Sequence, residues 1–262
     1  MQTTTGNPYA PIFSFCLQQT EQAFRMLEGC VAPPKRRALG EKRFVFRYEE
    51  QTIHQAIVQK LARSISGLHA LQVLLEAGLF QEQLALARIV DDMQEDVWFL
   101  SLAVIHNDHT ERHKKFLKHF WAEEFADHDD VWGSHQSRGM VGRDKIRAYI
   151  NGRSGLKDAA RGNVASRIIT KAWSGFVHGA SPQIMDMVYG RDVLRFDLKG
   201  AMKPFRYEEF ASDALNCFYR ATLAVAVAAK AFGDEQLFER LRSVSHGVAL
   251  KMEEAQGART RR

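Results

Sequence analysis

The chain has 262 residues, 45% hydrophobic and 26% charged, which is enough to bury a sizeable core and unlike disordered, collagenous or disulfide-scaffold sequences. Its net charge of +5 permits an anionic partner without demanding one. Three cysteines, Cys16, Cys30 and Cys217, without C-x-x-C spacing, argue against a disulfide framework and for a reducing, cytoplasmic setting. The first residues show no basic n-region and no apolar h-region. The most hydrophobic run, 221–229, is cut by Lys230, short of the ~20 residues of a membrane span, so no membrane contact is expected.

In chain order, Phe13, Leu17, Phe24 and Leu27 predict a helix over 12–28, ended by Gly29 and Pro33-Pro34. The basic run 35–43 reads as a solvated loop, and Phe44-Val45-Phe46 as a short extended piece or apolar anchor. Apolar residues every three or four positions predict long helices over 48–77 and 80–105. Broken only at Gly78, these pack as an antiparallel hairpin. A polar stretch, His106 to His113, leads into a helix carrying Phe116, Leu117, Phe120 and Trp121, and 127–130 is a charged loop. A short helix over 145–150 stops at Asn151-Gly152, and a longer one follows over 156–178. Pro182 keeps that helix from resuming directly, and the alternation in 193–198 suits a small strand or hairpin arm. Helices over about 207–232 and onward to 254 complete an all-α bundle with a small irregular or β-hairpin insertion. No repeat or low-complexity linker divides the chain, so one helical domain is expected over 1–262, with 1–10 and 257–262 flexible.

Four groups of residues can carry chemistry. Arg167, Lys171, Ser174 and His178 recur at i, i+4, i+7 and i+11 along one face of the 156–178 helix. The cations can hold negative charge and the histidine can move a proton, which makes His178, Lys171 and Ser174 the candidate catalytic trio. Arg167 lies ~16 Å from His178 along a straight helix, too far for the same small ligand. A structural reading stands beside it: a histidine in a last turn, before Gly179, interacts with the helix dipole and terminal carbonyls. The second group, Arg88, Asp91, Asp92 and Glu95, reads as an ion-paired band, with carboxylate metal binding as the alternative. The third, His106, His109 and His113, falls on one face if helical. Imidazoles so placed can share zinc, or form a solvated, pH-sensitive face. The fourth is the basic, glycine-rich segment 138–171, in which Arg143, Arg147, Arg153, Arg161 and Arg167 suit an anion or an RNA backbone. No phosphate-binding loop, dinucleotide fingerprint, nucleophile elbow or zinc knuckle is present, which argues against the common nucleotide-binding and hydrolase families; no cofactor is expected, and no metal ligand is assigned.

Three segments resemble uncharacterised bacterial all-helical proteins that are distantly similar to the HEPN superfamily. They are Leu74-Leu-Glu-Ala-Gly78-Leu-Phe, Ala85-Leu-Ala-Arg88 and Trp173-Ser-Gly-Phe-Val-His178-Gly179-Ala-Ser181. HEPN proteins are helical bundles, often dimers. Many are metal-independent ribonucleases of toxin–antitoxin and antiphage systems; others bind RNA or assemble without activity. Active members carry an arginine and a histidine a few residues apart. Arg63 with His69, and Arg112 with His119, match that spacing, whereas the Trp173–Ser181 stretch lacks it. The resemblance implies a homodimeric binding or assembly module for RNA or another phosphate-bearing ligand, in bacterial defence or stress response. Two alternatives stay open: a metal-independent ribonuclease using His178 with Lys171 or Arg167, and a metal-binding bundle using His109 and His113, or Asp91, Asp92 and Glu95.

Overall fold

A computed structural model describes residues 7, 9–39, 43–123, 132, 139–153, 155, 159–190, 192–200 and 204–259. These residues are mostly helical, and their strands form only two small antiparallel hairpins, which places the chain in the all-α class. Pro11 opens α1 (Ala10–Gly29), in a turn where its missing N–H costs nothing. Within the basic stretch read as a loop, residues 35–39 are instead a strand. β1 (Lys35–Leu39) pairs antiparallel with β2 (Arg43–Arg47), in a register running from Lys35↔Arg47 to Leu39↔Arg43. Its cross-strand contact is the Arg36 guanidinium lying 4.0 Å over the Phe44 ring, which a loop reading of the composition misses.

α2 (Ile53–Glu76) starts later than its hydrophobic period suggests, because Thr52 caps it. The Gln55 N–H donates to the Thr52 hydroxyl at 3.2 Å, and the Thr52 N–H donates to the Gln55 side-chain carbonyl at 3.0 Å. Gly78, at φ 72°, turns the chain into α3 (Phe80–Ile105), which has the bounds the sequence predicts. α4 (Glu111–Trp121) follows; the loop expected over 127–130 lies outside the described residues. α5 (Arg143–Arg153) runs through Asn151-Gly152, the expected stop. Burial of Ile146, Arg147, Tyr149 and Asn151 outweighs the poor helix propensity there.

α6 (Ala159–Val177) ends as the Gly179 signal predicts, with the Ala180 N–H donating to the Gly175 carbonyl at 2.9 Å. Pro182, expected to keep α6 from resuming directly, sits in the first turn of a separate short helix, α7 (Ser181–Met185). The strands β3 (Val188–Tyr189) and β4 (Arg195–Phe196) then pair in a hairpin smaller than the arm expected over 193–198. α8 (Pro204–Ala231) and α9 (Glu235–Arg259) close the chain. α9 continues through 257–259, expected to be flexible. At the other end Tyr9, also expected to be flexible, is 5% exposed and packs in the core.

α3 is central and packs against α2, α5, α6 and α8. Gly67 permits the α2–α3 approach, since a Cβ there would meet Val90 Cγ2 at 2.4 Å. Buried alanines at 211, 214, 221, 224 and 228 let α8 lie close to its neighbours, and Phe218 stacks on Phe13 at 4.2 Å. Two apolar clusters lie along α2 and α3, one around Leu68, Leu75 and Leu84, the other around Ile57, Leu61 and Phe99. On α3 they are separated by residues 91–96, a charged band. No helix among the described residues is long and apolar enough to cross a membrane.

Candidate functional site

The charged band of α3 meets cations from three other helices. Arg88 pairs with Asp92 on α3 itself. From α5, Arg147 Nε donates to Glu95 Oε1 at 2.7 Å, and Arg143 Nη1 donates to Asp96 Oδ1 at 2.6 Å. Arg143 also lies 3.3 Å from Asp92 and 3.8 Å from Glu95. α8 contributes Arg220, 2.5 Å from Asp91, and α2 contributes Lys60, 2.7 Å from Asp96. Asp91, Glu95, Asp96 and Arg147 are all 5% exposed or less. Burial pushes the Asp91 carboxyl above the usual carboxylate range against the pull of Arg220 and Arg88. It pushes Glu95 up against its hydrogen bond from Arg147.

The band is therefore an internal brace between α2, α3, α5 and α8. Its carboxylates face cations, and among the described residues no group of three or more metal-ligating side chains is placed to hold an ion. Sequence spacing showed Arg88, Asp91, Asp92 and Glu95 because they share one helix. It gave no sign of Lys60 or Arg220, which reach the band from elements distant in sequence.

The arginines expected to meet an anion or RNA are dispersed. Arg143 and Arg147 belong to the brace, and Arg153 pairs with Asp108. Arg167 is exposed and lies 3.2 Å from Asp144; the Arg161 side chain lies outside the described residues. In the polar stripe, Lys171 and His178 are exposed and Ser174 is half-buried, while Trp173 packs inward as expected. The His178 N–H donates to the Ser174 carbonyl at 3.1 Å, the closing bond of the helix. Among the described residues no side-chain hydrogen bond or ion pair joins Lys171, Ser174 and His178.

The histidine cluster does not form the expected helical face. Asn107, at φ 49°, breaks the chain between α3 and α4, leaving His106 and His109 exposed ahead of α4. His113 is fully buried against Phe99, with ring centroids 3.9 Å apart. The Thr110 N–H can only donate, at 3.1 Å, to His113 Nδ1, so the ring proton sits on Nε2 and points to the Phe99 carbonyl at 3.3 Å. Burial holds this imidazole down at about 4. Of the short-spaced Arg–His matches, His69 pairs with Glu21, and His119 Nδ1 accepts from the Gly139 N–H at 3.2 Å.

One further titratable group gave no sequence signal. Asp213, on α8, has no ion pair among the described residues, and burial with nearby Glu209 pushes its carboxyl up to about 6. Its folded value exceeds the unfolded one, so stability present below about pH 4 is lost as pH rises through about 6. Asp213→Asn is expected to stabilise the protein by ~1–2 kcal/mol at pH 7.5 and to change little at pH 4, by urea unfolding.

Comparison of the chain with protein-family models, with curated proteins and with solved structures finds no match.

Proposed function

We propose that the protein is a non-enzymatic, HEPN-like helical binding and assembly module. It acts as a cytoplasmic homodimer, with RNA or another phosphate-bearing molecule as ligand, in bacterial defence or stress response. The observation that carries the assembly part is the β3–β4 arm. Val193 is 60% exposed, Leu194 69%, Phe196 50% and Leu198 80%, a concentration of large apolar side chains in one short segment. Such a patch is unfavourable in water and is relieved by covering it. The resemblance to HEPN proteins, which often pair, makes a second copy of the chain the natural cover. The brace supports a structural role for the charged band of α3. All three cysteines are unbridged, which supports a reducing compartment.

Sedimentation velocity at micromolar concentration tests the reading. The wild-type protein is expected to run as a dimer. A Leu194→Asp/Leu198→Asp protein is expected to run as a monomer with unchanged helical circular dichroism. A wild-type monomer, or a dimer indifferent to both substitutions, overturns the assembly part.

A further inference from the structure

We infer that the β1–β2 hairpin is a binding ribbon for single-stranded nucleic acid, with Phe44 and Phe46 stacking on bases and its basic side chains meeting the phosphates. The inference deepens the ligand part of the proposed function and is independent of the assembly part.

Its two strands, 35–39 and 43–47, hold five cations, Lys35, Arg36, Arg37, Arg43 and Arg47, and no acid. The pairing register places Phe44 and Phe46 on one face of the ribbon with Arg36 and Ala38. Both rings are open to solvent, Phe44 47% and Phe46 59% exposed, with centroids 5.6 Å apart. The ribbon packs mainly on itself and is tied down at its base, where Arg47 meets Glu123 at 2.6 Å and Lys35 meets Glu49 at 2.6 Å. The two exposed rings belong to neither apolar cluster; among the described residues their ring contacts are each other and Arg36 over Phe44, and a two-stranded hairpin alone gains little from leaving them in water.

Charge complementarity calls for an anion, and the ring faces call for flat apolar groups beside it. Single-stranded RNA or DNA offers both, with bases free to stack on aromatic side chains and phosphates at every step. Arg36, already stacked on Phe44, presents a planar guanidinium that matches phosphate geometry. A duplex keeps its base faces stacked on one another and satisfies only the charge. The segment 138–171, the more basic-looking stretch, spends Arg143 and Arg147 internally and carries Tyr149 buried, so it supplies no such combination.

Fluorescence anisotropy with labelled oligo(U) RNA and oligo(dT) DNA, each about 12 nucleotides long, tests the inference. Wild-type protein is expected to bind both at low salt. Phe44→Ala/Phe46→Ala is expected to weaken binding about tenfold or more. Arg36→Gln/Arg37→Gln is expected to flatten the dependence of log affinity on log salt by roughly 1.4, the loss of two phosphate contacts on a single strand. Circular dichroism and sedimentation confirm that each variant keeps its fold and oligomeric state. Wild-type affinity in the double-phenylalanine variant overturns the ribbon while leaving a nucleic-acid ligand in place. Absence of wild-type binding overturns both. Tighter binding to a duplex of the same length, or to phosphatidylserine vesicles, overturns the single-strand assignment.

Discussion

An Arg147→Met protein is expected to lose about 3–5 kcal/mol of folding stability, the cost of leaving a buried carboxylate without its partner. Arg147 and Glu95 are 5% and 4% exposed, and their bond is 2.7 Å long. Among the described residues, Glu95 Oε2 has only the Arg143 guanidinium at 3.8 Å, too far to replace that bond. Burial already pushes the Glu95 carboxyl upward, and removing Arg147 raises it further. A raised folded value means stability lost as pH rises, so the defect is expected to be largest at neutral pH and to shrink on acidification. Arg147→Met/Glu95→Leu is expected to recover most of the loss, since a buried pair replaced by apolar side chains of similar volume is commonly neutral or stabilising. Urea unfolding of the three proteins checks this. A single-variant loss below about 1 kcal/mol would show the pair to be effectively solvated and the brace irrelevant to stability.

Acidification from pH 7 to about 4 is expected to remove ~2–3 kcal/mol of stability through His113 alone. Its folded value is about 4 against an ordinary 6.5, so the fold favours the neutral imidazole. The contribution is fully present above the unfolded value and is lost as pH falls from about 6.5 toward about 4. Protonation would put a charge between Phe99 and Tyr149 and take away the acceptor that the Thr110 N–H uses. His113→Gln, which keeps polar atoms but does not titrate, is expected to be less stable at pH 7 and flatter in pH response. The measurement is the difference between wild-type and variant unfolding free energies at pH 7 and pH 4.5. An unchanged difference would mean that His113 charges without penalty.

Helices with an unbroken apolar period were legible in the sequence. α3 emerged with its bounds intact because nothing within it competes with the 3.6-residue repeat. Where local chemistry and periodicity disagreed, local chemistry or packing decided the outcome. Thr52 moved the start of α2, and Asn107 separated histidines that a helical wheel would join. β1 was illegible because Lys35-Arg36-Arg37 resembles a solvated loop until its partner strand is known. The brace was half legible. Its carboxylates follow helix spacing on α3, but Lys60 and Arg220 arrive from other helices, and no spacing rule links them to Asp96 or Asp91. The polar stripe was legible as a face, and its side chains remain separate from one another.

Amide hydrogen exchange, followed at protein concentrations below and above self-association, most directly tests the central claim of a braced helical scaffold that pairs through its β3–β4 arm. Concentration-dependent protection over residues 188–198, with α3 equally protected at both concentrations, is the expected result. Protection that ignores concentration over 188–198, or that appears only on other elements, would contradict it.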